Sequence, residues 1–315
     1  RGALLLTITA LIWGTAFVAQ SLGMDHLGPF AFNGVRNFIA ALALLPVLLF
    51  MQRKAPKKTQ TDEERKQSRK TLWVGGVLCG SALAVASNLQ QFGISFTTVG
   101  KAGFLTALYI VIVPILGLFL KKRVPATVWV SVVIAAAGTY LLSVQEGFTI
   151  APGDLLVILC ALGFSVHILI IDHFSPMVNG VALSCVQFLV CGVLCTAAAL
   201  FTETFTLADI LKSAGPLLFT GLMSSGVGYT LQILGQKDTP PAIASLTMSL
   251  ESVFSAIAGA IILHETLQPR EMLGCALMLA AVMALSLVAC GSSNDAKDDQ
   301  SGDQPAEITS ALGIL

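Results

Sequence analysis

Residues 245–266 read SLTMSLESVFSAIAGAIILHET. At a helical rise of about 1.5 Å per residue, the stretch crosses a hydrocarbon core about 30 Å thick. Its difficulty is Glu251, a carboxylate in the middle of an apolar span. At 3.6-residue spacing Ala244, Thr247, Met248, Glu251, Ser255 and Ala258 share one face, and Leu250, Val253, Ile257 and Ile261 share another. The carboxylate therefore turns toward small and polar neighbours and away from lipid. A charge at this depth costs at least about 2.5–3.5 kcal/mol, so it requires a partner or a function.

The whole chain repeats this pattern. Of its 315 residues 55% are hydrophobic and 11% charged, against about 25% charged in a soluble domain. The apolar runs are continuous and about 20 residues long, which excludes an outer-membrane barrel with its alternating segments. Ten spans are expected, near 3–22, 30–51, 72–95, 102–120, 124–144, 153–171, 179–201, 214–235, 242–263 and 270–290. The fold class is therefore all-α integral membrane. The loop 52–71 carries eight Lys/Arg and the KKR at 121–123 three more. With Arg1, Lys237 and Lys297, fourteen of the 18 basic residues fall at one end of the spans. The positive-inside rule places that end and both termini in the cytoplasm, for a multi-pass protein of the cytoplasmic membrane. The polar segment 292–315 reads as a disordered cytoplasmic tail. The seven cysteines lie mostly within apolar spans without a CxxC pair and read as small buried hydrophobes; no metal site is expected.

Two halves resemble each other. At a constant offset of 142, Leu89, Gln90, Gly93, Thr97, Ala102, Leu108 and Gly117 meet Leu231, Gln232, Gly235, Thr239, Ala244, Leu250 and Gly259. The same offset carries Tyr109 onto Glu251. This suggests duplication of a five-helix unit, over 1–145 and 146–291. Five is odd, so the second copy enters the membrane from the opposite side. Inverted repeats of this kind build many secondary transporters, with the site near the midplane around a central cavity.

Polar stripes mark the candidate cavity lining: Trp13, Phe17 and Gln20 in the first span, Asn88 and Gln91 in the third, Thr106 and Tyr109 in the fourth. Phe164 and His167 follow in the sixth, Tyr229 and Gln232 in the eighth, and Thr247 and Glu251 in the ninth. Amides and hydroxyls at such positions either line a cavity or join helices. Gly76 and Gly80, and Ser255 and Gly259, read as close-packing surfaces. Arg36, in the second span, is the other intramembrane charge, and the pair Arg36 and Glu251 is a candidate ion pair. Three readings of Glu251 stand open: a structural pair, a carboxylate that couples transport to protons, or a contact to a cationic part of a solute. Asp172 and His173 read as a solvated helix end.

Several stretches are similar to the drug/metabolite transporter superfamily, in its EamA-like ten-helix branch. They are LIWGTAFVAQ from residue 11, GPFAFNGVRNFIAAL from 28, KAGFLTALYIVIVPILGLFL from 101 and SLESVFSAIAGAIILHETL from 249. The family's Glu-Pro-Val-Phe core falls on Glu251, with Ser252 in place of Pro. Its later Gly-Glu falls on 264–265, with His264 in place of Gly. The resemblance implies a basket of ten helices and a secondary transporter without ATP, mostly exporting amino acids or other small metabolites. Expected partners are the lipid bilayer and a small-molecule substrate, without nucleic acid, in a monomer or weak homodimer. No cofactor is expected beyond possible proton coupling. A flippase for a lipid-linked substrate is the alternative, and an integral-membrane enzyme a more distant one.

Overall fold

The computed structural model describes residues 1–54, 61–96, 99–122, 124–143, 152–262 and 267–298. Every regular element among them is helical. Among the described residues, eight helical stretches are long and apolar enough to cross a membrane: Gly2–Gly23, Pro29–Lys54, Asp62–Ile94, Ala102–Phe119, Pro152–Phe174, Gly180–Thr202, Ala214–Gln236 and Pro241–Ala258. The expected fifth span corresponds to a shorter apolar helix, Ala126–Leu142. The expected tenth falls on a helix running Pro269–Asp298.

In chain order the elements are α1 (Gly2–Gly23), α2 (Pro29–Lys54), α3 (Asp62–Ile94), α4 (Val99–Ala107), α5 (Tyr109–Phe119), α6 (Ala126–Ser143), α7 (Pro152–Phe174) and α8 (Gly180–Thr202). After the short α9 (Leu207–Lys212) and α10 (Ala214–Leu218) come a π-helix (Phe219–Tyr229), α11 (Thr230–Gln236), α12 (Pro241–Met248), α13 (Glu251–Ile262) and α14 (Pro269–Asp298). Proline opens α2, α7, α12 and α14, where its fixed φ suits the first turn and its missing N–H is not needed.

The packing fixes where the site lies. α2 packs along α8, and α6 along α14. α3 packs on α7 and α8, while α1 packs on α13, the π-helix and α11. α4 and α5 lie on α7, and α12 meets α5. One contact brings α1 very close to α13. A Cβ at Gly14 would stand 2.6 Å from the Glu251 carbonyl oxygen, so only glycine fits there.

Four expectations change. The loop 52–71 is largely helical, since α2 runs to Lys54 and α3 starts at Asp62. The start of α3 is written in the sequence as TDEE. The Thr61 hydroxyl accepts from the Glu64 N–H, the Glu64 carboxylate accepts from the Thr61 N–H, and three acids occupy the first turn. α14 likewise continues to Asp298, into the segment expected to be disordered; residues 299–315 lie outside those described. Asp172 is not merely a solvated helix end, because it pairs with Lys122 from the KKR stretch.

The fourth change is the most consequential. The fourth and ninth spans are not continuous helices. The first breaks at Leu108, between α4 and α5, and the second at Ser249–Leu250, between α12 and α13. Leu108 and Leu250 are the residues that the offset of 142 aligns. Near the first break the ring of Pro114 crowds the carbonyl of Ile110, one turn back. The second break has no proline. There the hydroxyls of Ser245, Thr247 and Ser249 donate to the carbonyls of Ala242, Ile243 and Leu246, bonds that compete with the helical ladder and bend it.

Candidate functional site

The broken helices deliver two side chains to one point. Tyr109 is the first residue of α5 and Glu251 the first of α13. The Tyr109 hydroxyl donates to Glu251 Oε1 at 2.9 Å, and both residues are buried. Glu251 thus opens a half-helix, where the helix dipole favours negative charge. A hydroxyl donor and a helix N-terminus together supply what the isolated carboxylate lacked in the sequence.

The expected ion pair with Arg36 does not form: among the described residues no salt bridge joins Arg36 and Glu251. Arg36 Nη1 instead donates to Gln20 Oε1 at 3.1 Å, and its guanidinium lies 5.9 Å from the centre of the Phe32 ring, within cation–π range. Arg36 Nε is buried without a hydrogen-bond partner. The two charges nevertheless border the same cavity, each held by a neutral group.

That cavity lies between both halves of the chain. Trp13, Phe17, Gln20, Thr106, Tyr109, Phe164, Tyr229, Gln232 and Glu251 line it, as the polar stripes suggested. Arg36, Gln90, Ile168, Ser224 and Met248 complete the lining. The aromatic wall is ordered: the Trp13 and Tyr229 rings stand 4.6 Å apart, and Trp13 Nε1 donates to the Ser224 carbonyl at 3.1 Å. The π-helix makes this possible. Its wider winding, in a glycine-rich stretch (Gly221, Gly226, Gly228), leaves the carbonyls of Ser224 and Gly228 to accept from Trp13 and Thr9. The free volume is about 30 Å³, about two water molecules' worth, so the helices are closed around the site.

Four candidates lie elsewhere. Asn88 accepts from Asn33 Nδ2 at 2.9 Å and donates to the Ala84 carbonyl and to Cys195 Sγ, which joins α3 to α2 and α8. Gln91 donates to the Gln20 carbonyl. His167 Nε2 lies 3.1 Å from Gln187 Oε1 on α8, and the His167 ring meets the Tyr229 ring edge-on from behind the wall. Thr247 bonds back into its own helix. The polar stripe of α3 is thus helix-joining, and its cavity contact is Gln90, which donates to the Thr106 hydroxyl at 3.2 Å. Gln90 had a signal: it is the α3 residue that the offset aligns with Gln232. Ser224 had none beyond its glycine-rich surroundings. His264 and Glu265 lie outside the described residues.

Comparison with known proteins agrees with this architecture. The model of the EamA-like transporter family matches residues 1–144 and again 151–287. An uncharacterized transporter of Archaeoglobus fulgidus is 34% identical over 90% of this chain and 84% of its own length. The uncharacterized transporter YwfM of Bacillus subtilis is 27% identical over 90% of this chain and 93% of its own. A solved crystal structure shares the fold at a TM-score of 0.72 and 18% identity, covering 91% of this chain and 97% of that one. With two matched ranges spanning most of its length, and multiple membrane-crossing helices, the chain belongs to the EamA-like transporter family.

Proposed function

We propose that the protein is a secondary transporter that exports a small zwitterionic solute, an amino acid or similar amphipathic molecule, across the cytoplasmic membrane. The observation that carries this reading is the placement of Arg36 and Glu251. They border one aromatic-walled cavity, opposite in charge and not paired with each other. A solute with a carboxylate and an ammonium completes both sites, and its side chain meets Trp13, Phe164 and Tyr229. The small free volume requires the helices to part for loading, as alternating access does. In this reading the basic end and both termini face the cytoplasm, and no ATP is used.

Two inverted five-helix repeats are part of the same proposal. The packing supports them: α1 lies on the π-helix and α11 as α3 lies on α7, and α1 meets α12 and α13 as α4 and α5 meet α7. Tyr109 and Glu251, partners under the offset of 142, touch each other, as residues on a pseudo-twofold axis do. The two ranges matched by one family model fit the same division.

The test is efflux from proteoliposomes loaded with a panel of labelled amino acids and related metabolites. Saturable efflux of at least one zwitterion, weakened when either its amine or its carboxylate is masked, is expected. Folded protein that moves none of them overturns the reading. Coupling is tested separately by imposing a pH gradient on Glu251→Gln. Gradient-driven accumulation that survives this substitution rejects a proton-coupling role.

A further inference from the structure

A second cavity, about 340 Å³, lies at the end of the bundle that bears Lys237 and the Lys122–Asp172 pair. Its walls continue those of the central cavity on three elements. Along α7 the central cavity is bordered by Ile168 and the second by Asp172. Along α5 the corresponding residues are Tyr109 and Val113, and along α11 Gln232 and Gln236. Each step is four residues, the same helical face about 6 Å further on. The layer between the cavities is held by Gln236, whose Nε2 donates to the Ile168 carbonyl at 3.1 Å and ties α11 to α7.

We infer that the two cavities are consecutive chambers of one pathway, and that the Lys122–Asp172 ion pair is the latch that keeps the passage between them shut. Lys122 follows α5 and Asp172 ends α7, so the pair joins an element of each half across the mouth. It is accessible enough to break, with side chains 38% and 14% exposed. The outer chamber is suited to hold the solute before entry. Gln236 Oε1 is buried there without a hydrogen-bond partner, and neither Lys237 nor Asp238 is in an ion pair among the described residues. A molecule with an amine and a carboxylate answers all three. The ligand class rests on the transport reading above; the latch does not.

The experiment reads access instead of flux. Thr106→Cys places a thiol in the central cavity, and its labelling by a membrane-impermeant maleimide is followed at peptide level in vesicles of each orientation. Lys122→Ala and Asp172→Ala should each speed labelling about two- to fivefold, only from the Lys/Arg-rich face, as the loss of a part-exposed ion pair allows. High salt should do the same to the parent by screening. The exchange Lys122→Asp/Asp172→Lys should restore the parental rate. Unchanged labelling in the single variants, or no restoration by the exchange, overturns the latch. For the chamber, Ala242→Cys is labelled in the presence of the amino-acid panel. Protection by the transported amino acid is expected, and flux without protection removes the solute from the chamber. A panel with no flux but unlatched labelling refutes the transport reading alone.

Discussion

The α4–α5 and α12–α13 breaks stand at aligned positions, yet they are made differently and end differently. One lies six residues before a proline and presents a phenol; the other is bent by serine and threonine hydroxyls and presents a carboxylate. Two carboxylates at this point would repel, and two phenols would bring no charge into the cavity. The unlike pair satisfies itself, since one residue donates and the other accepts. The proposed duplication would therefore fix the place of the site, while divergence of the two copies supplied its chemistry.

The hardest blow to this comparison is Glu251→Ala. It removes the proposed ammonium site and leaves the Tyr109 hydroxyl buried without its acceptor. Loss of a buried charged partner costs about 2–5 kcal/mol of binding, so flux should fall by about two orders of magnitude or more. Flux near the parental rate would make Glu251 a structural residue. Next is Gly14→Val, which drives a side chain into the backbone of α13 at Glu251 and into Phe254. Overpacking of this kind costs about 1–3 kcal/mol, read as a lower melting temperature in detergent. An unchanged melting temperature would mean that α1 and α13 are not held at the distance described.

Exchange of the two residues sharpens the comparison further. Tyr109→Glu alone sets two carboxylates together and should destabilise strongly. Tyr109→Glu/Glu251→Tyr keeps one donor and one acceptor at the same point and should recover stability to within about 1 kcal/mol of the parent, a coupling expected of residues in contact. A double variant no better than Tyr109→Glu would show that the two half-helices are not interchangeable, and the alignment of their breaks would lose its meaning.

How far the sequence could be read follows from what each signal measures. Apolar length marks eight membrane-crossing helices among the described residues where ten spans are expected, and the offset pairs Tyr109 with Glu251, which are in contact. Hydropathy does not register a break in a helix, because Leu108 and Leu250 are as apolar as their neighbours. With the ninth span read as continuous, Arg36 is the candidate ion-pair partner of Glu251. In the structure Glu251 opens a half-helix and accepts from the Tyr109 hydroxyl, while Arg36 goes to Gln20. The stretch 52–71 reads as a loop from its charge, whereas the Thr61 cap starts α3 well before the apolar stretch that marks the span. Helical spacing located the polar face of α3 without telling whether a cavity or another helix lies opposite.

Asn88 and Gln90 decide that last point, two residues apart on α3 and facing different surroundings. Asn88 is bonded to Asn33, to its own helix and to Cys195, all away from the cavity lining. Such bonds between membrane helices average about 0.6 kcal/mol, since the separated helices also find partners. Asn88→Ala should therefore lower the melting temperature slightly and leave flux, apparent affinity and solute preference as they were. Gln90→Ala, at the cavity, should change apparent affinity with little effect on melting. If Asn88→Ala instead shifts affinity while stability holds, the solute reaches the α2–α3 seam, and the cavity is wider in the transporting protein than the closed arrangement around Glu251 allows.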